Sequence, residues 1–94
     1  MLLSITPKLK KQLKIQATRL NPVILIGNKG LTEAVQKEIA QALTAHELIK
    51  IRFHSKDRAF HKQAVLLICE YHDAALIDSI GHVSVIYRPQ QESK

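Results

Sequence analysis

The sequence predicts one α/β (α+β) domain in the order α-β-α-β-α-β-β, with a mixed four-stranded sheet packed by helices. Three observations carry that reading. Three stretches repeat apolar residues at helical spacing, and two strand-like runs lie between them. The last two strand-like runs are separated only by Gly81-His82, the signature of a hairpin. Strands joined through helices run parallel by right-handed crossovers, whereas a hairpin is antiparallel, so the sheet is mixed. With 94 residues and 46% hydrophobic content, the chain has material for one modest core and is not disordered. We expect a single domain over 1–94, with its core at about 7–89 and a polar tail at 90–94.

Thr6-Pro7 opens the first helix, with a capping hydroxyl followed by proline at the first helical position. Leu9, Leu13, Ala17 and Leu20 share one side, and Lys8, Lys10, Lys11, Lys14 and Arg19 spread over the other. Ile15 falls inside the basic arc, against the pattern. Asn21-Pro22 is expected to end the helix. Val23 to Ile26 is apolar without alternation, as in a central strand covered on both faces. The second helix is expected from about Thr32 to Ala45, with Val35, Ile39, Ala42 and Leu43 inward and Glu33 and Lys37 paired outward. Leu48 to His54 alternates: Ile49, Ile51 and Phe53 point one way, and Lys50, Arg52 and His54 the other. The third helix is expected from about Asp57 to Tyr71, with Phe60, Ala64, Leu67, Ile68 and Tyr71 on its inner face. Strands at about Ala75–Ile80 and Val83–Arg88 close the chain.

The motif with chemical content is Gly27-Asn28-Lys29-Gly30, a G-x-x-G loop between a strand and the start of a helix. The first turn of a helix has backbone N–H groups without internal partners and the positive end of the helix dipole. Glycines let another backbone approach closely. Such a loop suits a single phosphate, with Lys29 projecting from its tip. It is not a nucleotide-binding P-loop, because Gly30 is followed by Leu31-Thr32 rather than Lys-Ser/Thr.

Charge is distributed unevenly. The net charge is +6, from 14 Lys+Arg against 8 Asp+Glu. Residues 1–30 carry Lys8, Lys10, Lys11, Lys14, Arg19 and Lys29 and no acidic residue, so the whole excess lies there. A polyanionic partner fits this asymmetry, either nucleic acid or an acidic membrane surface. Five histidines and one cysteine show no metal-ligand spacing, and Cys69 stands in Ala-Val-Leu-Leu-Ile-Cys as a small core residue. No serine lies in a nucleophile elbow, and the carboxylates form no catalytic pair. A lone cysteine fits a reducing compartment. Met1-Leu2-Leu3-Ser4-Ile5 is too short for a secretory signal and has no basic n-region, so none is expected. With two Phe, two Tyr and no Trp, exposed rings for stacking bases are scarce.

Several separated stretches resemble the bacterial YhbY family, the stand-alone form of the CRM domain. They are Asn21-Pro22-Val-Ile-Leu-Ile-Gly27-Asn-Lys-Gly30-Leu-Thr32-Glu33, His46-Glu47-Leu48-Ile49-Lys50-Ile51, Asp57-Arg58 and Tyr87-Arg88-Pro89. The resemblance covers about residues 7–89. It implies an RNA-binding domain similar to the C-terminal domain of translation initiation factor three, with a KH-like G-x-x-G loop, that associates with precursors of the large ribosomal subunit. Ala34 stands where the family commonly has glycine, and His82 where it commonly has lysine.

The expectation is a monomeric, cytoplasmic, non-enzymatic RNA-binding protein without cofactor or metal, acting on rRNA in large-subunit assembly. The contacts expected are Gly27, Asn28, Lys29 and Gly30 at the loop and Lys8, Lys10, Lys11, Lys14 and Arg19 on the first helix. Lys50, Arg52, Arg58 and Arg88 are secondary candidates. The competing readings are a membrane-surface protein anchored by the basic amphipathic helix and a small phosphate-ester enzyme built on the loop.

Overall fold

The computed structural model describes residues 6–27 and 29–89. The elements are α1 (Pro7–Ala17), β1 (Ile24–Ile26), α2 (Glu33–His46), β2 (Leu48–Phe53), α3 (Arg58–His72), β3 (Ala75–Ile80) and β4 (Val83–Tyr87). Asn28 and the tail at 90–94 lie outside the described residues.

Each helix begins at a side-chain cap. Thr6 Oγ1 accepts the Leu9 N–H at 3.1 Å, with Pro7 next in line. Thr32 Oγ1 accepts the Val35 N–H at 3.2 Å. The Asp57 carboxylate accepts from Ala59 and Phe60 at 3.0 and 3.3 Å. Such caps contribute about 1 kcal/mol each. Helix α1 stops four residues short of the expected Asn21-Pro22. The Thr18 hydroxyl donates to the Ile15 carbonyl at 2.7 Å, and the chain leaves through turn bonds from Arg19 to Gln16 and from Leu20 to Ala17. Side-chain competition for a helical carbonyl is the local reason. Arg19 therefore stands in a turn, not on the helix face.

The sheet order is β1-β2-β4-β3. Strand β1 runs parallel to β2, with Ile24 opposite Ile51 and Ile26 opposite Phe53. Strands β2 and β4 are antiparallel, with Leu48 opposite Tyr87 and Arg52 opposite Val83. Strands β3 and β4 form the expected hairpin, with a bulge between Leu76 and Asp78. Helices α2 and α3 cover one face, where Ile39, Leu43, Val65 and Ile68 pack on Ile26, Ile49, Ile51, Phe53 and Ile86. Helix α1 covers the other face, with Leu13 and Ala17 on Leu48, Ile77 and Val85, and Leu9 and Leu20 at the margin.

Two further expectations fail. Strand β1 is not central. It is a three-residue edge strand, and its outward residue Leu25 and the preceding Val23 are 59% and 52% exposed. Helix α1 packs on β2 and β3 and leaves that side of β1 open. An unbroken apolar run does not by itself distinguish double coverage from single coverage.

Helix α3 is rotated from the expected face. Its buried stripe is His61, Ala64, Val65, Ile68, Cys69 and His72, while Leu67 and Tyr71 are 56% and 72% exposed. The polar members of the stripe are tolerated because each has a partner. His61 Nε2 donates to the Ser55 carbonyl, and His72 Nε2 lies 2.7 Å from Gln36 Oε1. The exposure of Ile15 has no structural explanation.

At the end of the sheet where β2 begins, Arg88 ties the helix C-termini together. Its Nη1 donates to the His72 carbonyl at 3.2 Å, its Nη2 to Thr44 Oγ1 at 3.1 Å, and its backbone N–H to the Glu47 carbonyl at 2.9 Å. Burial, reinforced by the Arg88 charge, holds the His72 imidazole below its usual value of 6.5. The folded state therefore favours the neutral ring. That contribution is fully present above the unfolded value and is lost as pH falls below it toward the folded value. We predict that the urea midpoint of the wild type drops between pH 7.5 and 5.5, and that His72→Gln flattens this drop. An unchanged pH profile in the variant would assign the acid sensitivity elsewhere.

Burial pushes the Cys69 thiol up to about 11, so it stays protonated at neutral pH. We predict that Cys69 is not alkylated by iodoacetamide in the native protein and reacts fully in urea. Cys69→Ala should lower stability by about 1 kcal/mol, measured by chemical denaturation. Rapid native labelling would contradict the buried placement.

Candidate nucleic-acid interface

Parallel pairing of β1 with β2 brings the C-terminal ends of both strands together. The His54 N–H donates to the Ile26 carbonyl at 2.9 Å, extending the ladder by one step. The hairpin joins the same end, since the Phe53 N–H donates to the His82 carbonyl at 2.7 Å. The glycine loop, the β2–α3 loop and the hairpin turn thus sit together.

The glycine loop closes as a turn, with the Gly30 N–H bonded to the Gly27 carbonyl at 3.1 Å and the Thr32 N–H to the Gly30 carbonyl at 3.1 Å. Gly30 has φ +73° and lies over the ring of Phe60, so its left-handed backbone accounts for the glycine. Gly27 is different. Its φ is outside the left-handed region, and a Cβ built on it would meet nothing within 4 Å. Nothing in the fold demands glycine there. Lys29 is exposed. The N-terminus of α2 is partly occupied, because Thr32 caps the Val35 N–H and Glu33 brings a negative charge into the first turn.

Lys8, Lys10, Lys11 and Lys14 are all exposed on α1, while Leu13 and Ala17 of the same helix are buried against the sheet. Arg19 is also exposed. These residues lie on the sheet face opposite α2 and α3. Arg52 is exposed on the same face, opposite Leu25 of β1. Lys50 is half-buried next to Val85 under the cover of α1. Arg58 is exposed as the first residue of α3, at the loop end of the sheet. Arg88 is at the far end, with its guanidinium engaged by α2 and α3, and stands apart from the other candidates.

The sequence reading missed a cluster at the loop end. His61 stacks on Phe53 at 4.7 Å, and the rings of His61 and His82 meet edge to face at 5.6 Å. His82 Nδ1 lies 3.2 Å from the Ser55 carbonyl that also accepts from His61. The two histidines pin the β2–α3 loop against the hairpin. In doing so they place exposed His54 and Lys56 beside Arg52 and Leu25, around a groove of about 570 Å³. No local spacing signals this, since the residues come from three separate segments. Among the described residues, no group of three His, Cys, Asp or Glu side chains is placed to hold a metal ion. Nor is any helix of the described residues long and apolar enough to cross a membrane.

Comparison with known proteins gives this arrangement a context. The CRS1 / YhbY (CRM) domain model matches residues 5–88. An "RNA-binding protein" of Haemophilus influenzae is 42% identical over 91 residues, covering 97% of this chain and 92% of that protein. A "probable RNA-binding protein" of Pseudomonas aeruginosa is 34% identical over 86 residues, covering 92% of this chain and 83% of that protein. The solution structure of a Staphylococcus aureus protein, named as a candidate RNA-binding protein, superposes with a TM-score of 0.82. It is 31% identical and covers 97% of this chain and 95% of that one. A strand–G-x-x-G–helix unit set in a β1-β2-β4-β3 sheet, matched along nearly the whole length, makes this chain a member of the CRS1/YhbY (CRM) domain family.

Proposed function

We propose that this chain is a non-enzymatic RNA-binding protein that docks on structured rRNA during assembly of the large ribosomal subunit. The observation that carries the reading is the division of labour on α1. Its leucines are spent on the sheet, and its four lysines have no packing duty and no acid interspersed. The relatives' names point the same way. Docking is electrostatic: the lysine face meets phosphates, and the glycine loop lets one phosphate approach at Gly27, where no Cβ stands in the way. Lys29 supplies the charge at that point. Phosphate contacts of this kind set affinity and orientation and carry no direct sequence information. A membrane-surface role is disfavoured, because α1 has its apolar face turned into the protein against Leu48, Ile77 and Val85.

Replacing Asn28-Lys29 with Asp-Asp should weaken RNA binding strongly and leave the thermal transition unchanged, because two carboxylates would repel the phosphate there. Unaltered affinity in a gel shift would remove the loop from the interface.

The lysine face makes a quantitative prediction. Each phosphate neutralised steepens the fall of log K with log salt by about 0.7 to 0.9. Changing Lys8, Lys10, Lys11 and Lys14 together to Gln should flatten the slope by roughly 3 if all four make contact. Stability should barely change, since these are exposed positions and Gln forms helix nearly as well as Lys. The check is affinity across a salt series for the wild type and the quadruple variant. Coincident lines would show a merely solvated face.

A further inference from the structure

The register across the sheet gathers exposed apolar side chains into one row. Leu25 is opposite Arg52, Arg52 opposite Val83, and Val83 opposite Ile80. Paired residues project to the same side of a sheet, so all four share the face on which α1 packs. Helix α1 covers the neighbouring rows through Leu48, Val85, Ile77 and Tyr87, and it stops before this one. Leu25 and Ile80 are therefore left 59% and 70% exposed, with Val83 half-buried between the strands. Large apolar side chains scattered singly need no explanation, but a contiguous strip beside a groove marks a contact surface.

We propose that this open row is a platform for an unpaired base of the same RNA whose phosphate lies at the glycine loop. The proposal rests on the RNA-binding reading and extends it from backbone contact to base contact. Two features select this occupant. The groove beside the row joins an apolar wall, Pro22, Val23 and Leu25, to Arg52, His54, Lys56 and His82 with no acidic residue, a mixed apolar and cationic lining that fits the base and phosphate of a nucleotide. The row is also continuous with the loop, because Leu25 precedes Gly27 by two residues, about 7 Å of extended chain. A strand with its phosphate at Gly27 has its adjoining base above Leu25 and Arg52. A base can stack on an arginine guanidinium plane as it does on an aromatic ring. Leu25 and Ile80 then extend the floor with aliphatic surface. The scarcity of exposed rings, which argued against base stacking in the sequence, is answered by a guanidinium between aliphatic side chains. A paired helix has its bases stacked away and cannot use this floor.

The test compares three probes: a short unpaired oligoribonucleotide, the same strand carrying abasic sites, and a blunt RNA duplex. The proteins are the wild type, Leu25→Ser/Ile80→Ser and Arg52→Gln. Leu25 and Ile80 are exposed, so the double variant should keep the native melting curve, and Arg52→Gln provides an independent variant. The wild type should bind the unpaired strand better than its abasic counterpart by about fivefold, the low end of what a stacked base contributes. The double variant should lose that preference while its salt slope and duplex affinity stay at the wild-type values. Arg52→Gln should lose the preference and flatten the slope as well. Equal wild-type affinity for the base-bearing and abasic strands would overturn the platform and leave phosphate docking standing. Failure to bind any of the three RNAs would overturn both. A wild-type dimer that Leu25→Ser/Ile80→Ser converts to monomer in sedimentation would assign the row to a second copy of the chain and overturn the proposal.

Discussion

The parallel pairing of β1 with β2 is the constraint on which the rest of the molecule depends. Two parallel strands cannot be joined by a short turn, so α2 must cross over between them and pack on the sheet. Ile39 and Leu43 of α2 and Ile24, Ile26, Ile49, Ile51 and Phe53 of the strands form one buried cluster as a result. The same pairing sets both strand ends side by side, so the loops leading into α2 and α3 emerge at one end of the sheet. The β3–β4 hairpin joins them there because β4 runs antiparallel to β2. A glycine loop on an isolated strand would be a turn. On this edge it follows directly on β1, whose residues line a groove with the β2–α3 segment and the hairpin turn.

The two ends of the sheet are used differently. At the loop end, exposed cationic and imidazole side chains face solvent, and His61 and His82 hold the β2–α3 loop through one carbonyl. At the opposite end, Arg88 is spent on fixing helix ends, donating to the final carbonyl of α3 and to Thr44 near the end of α2. Cations are favourable at helix C-termini, where unpaired carbonyls and the negative end of the dipole lie. A basic residue next to a family motif is thus not automatically part of a binding surface. Whether its guanidinium is already engaged decides.

The two faces are divided as well. One is closed by α2 and α3 and forms the main core. The other is closed only as far as the short α1 reaches, and its last row remains open. Helix α1 lies over Leu48, Ile77 and Val85, with its C-terminal side toward the end of the sheet where β2 begins, and it leaves Leu25, Arg52 and Ile80 at the loop end accessible.

Much of this was legible in the sequence, because the signals involved are local. Capping residues Thr6, Thr32 and Asp57 mark helix starts through bonds made within three residues. Alternation in Leu48 to His54 marks β2 because a strand turns each successive side chain to the other face. The lysine arc of α1 and the glycine loop depend only on residues close in the chain. The tertiary structure alone decided which strands are neighbours and which face of a helix turns inward. It made β1 an edge strand, because coverage of one strand depends on where a helix from elsewhere comes to rest. It turned α3 so that His61 and His72 are buried in place of Leu67 and Tyr71, because their partners, the Ser55 carbonyl and Gln36, come from outside the helix. The open row from Leu25 to Ile80 was invisible for the same reason. It exists only through pairings that bring residues 25, 52, 83 and 80 together, and no periodicity within one segment records a register between segments.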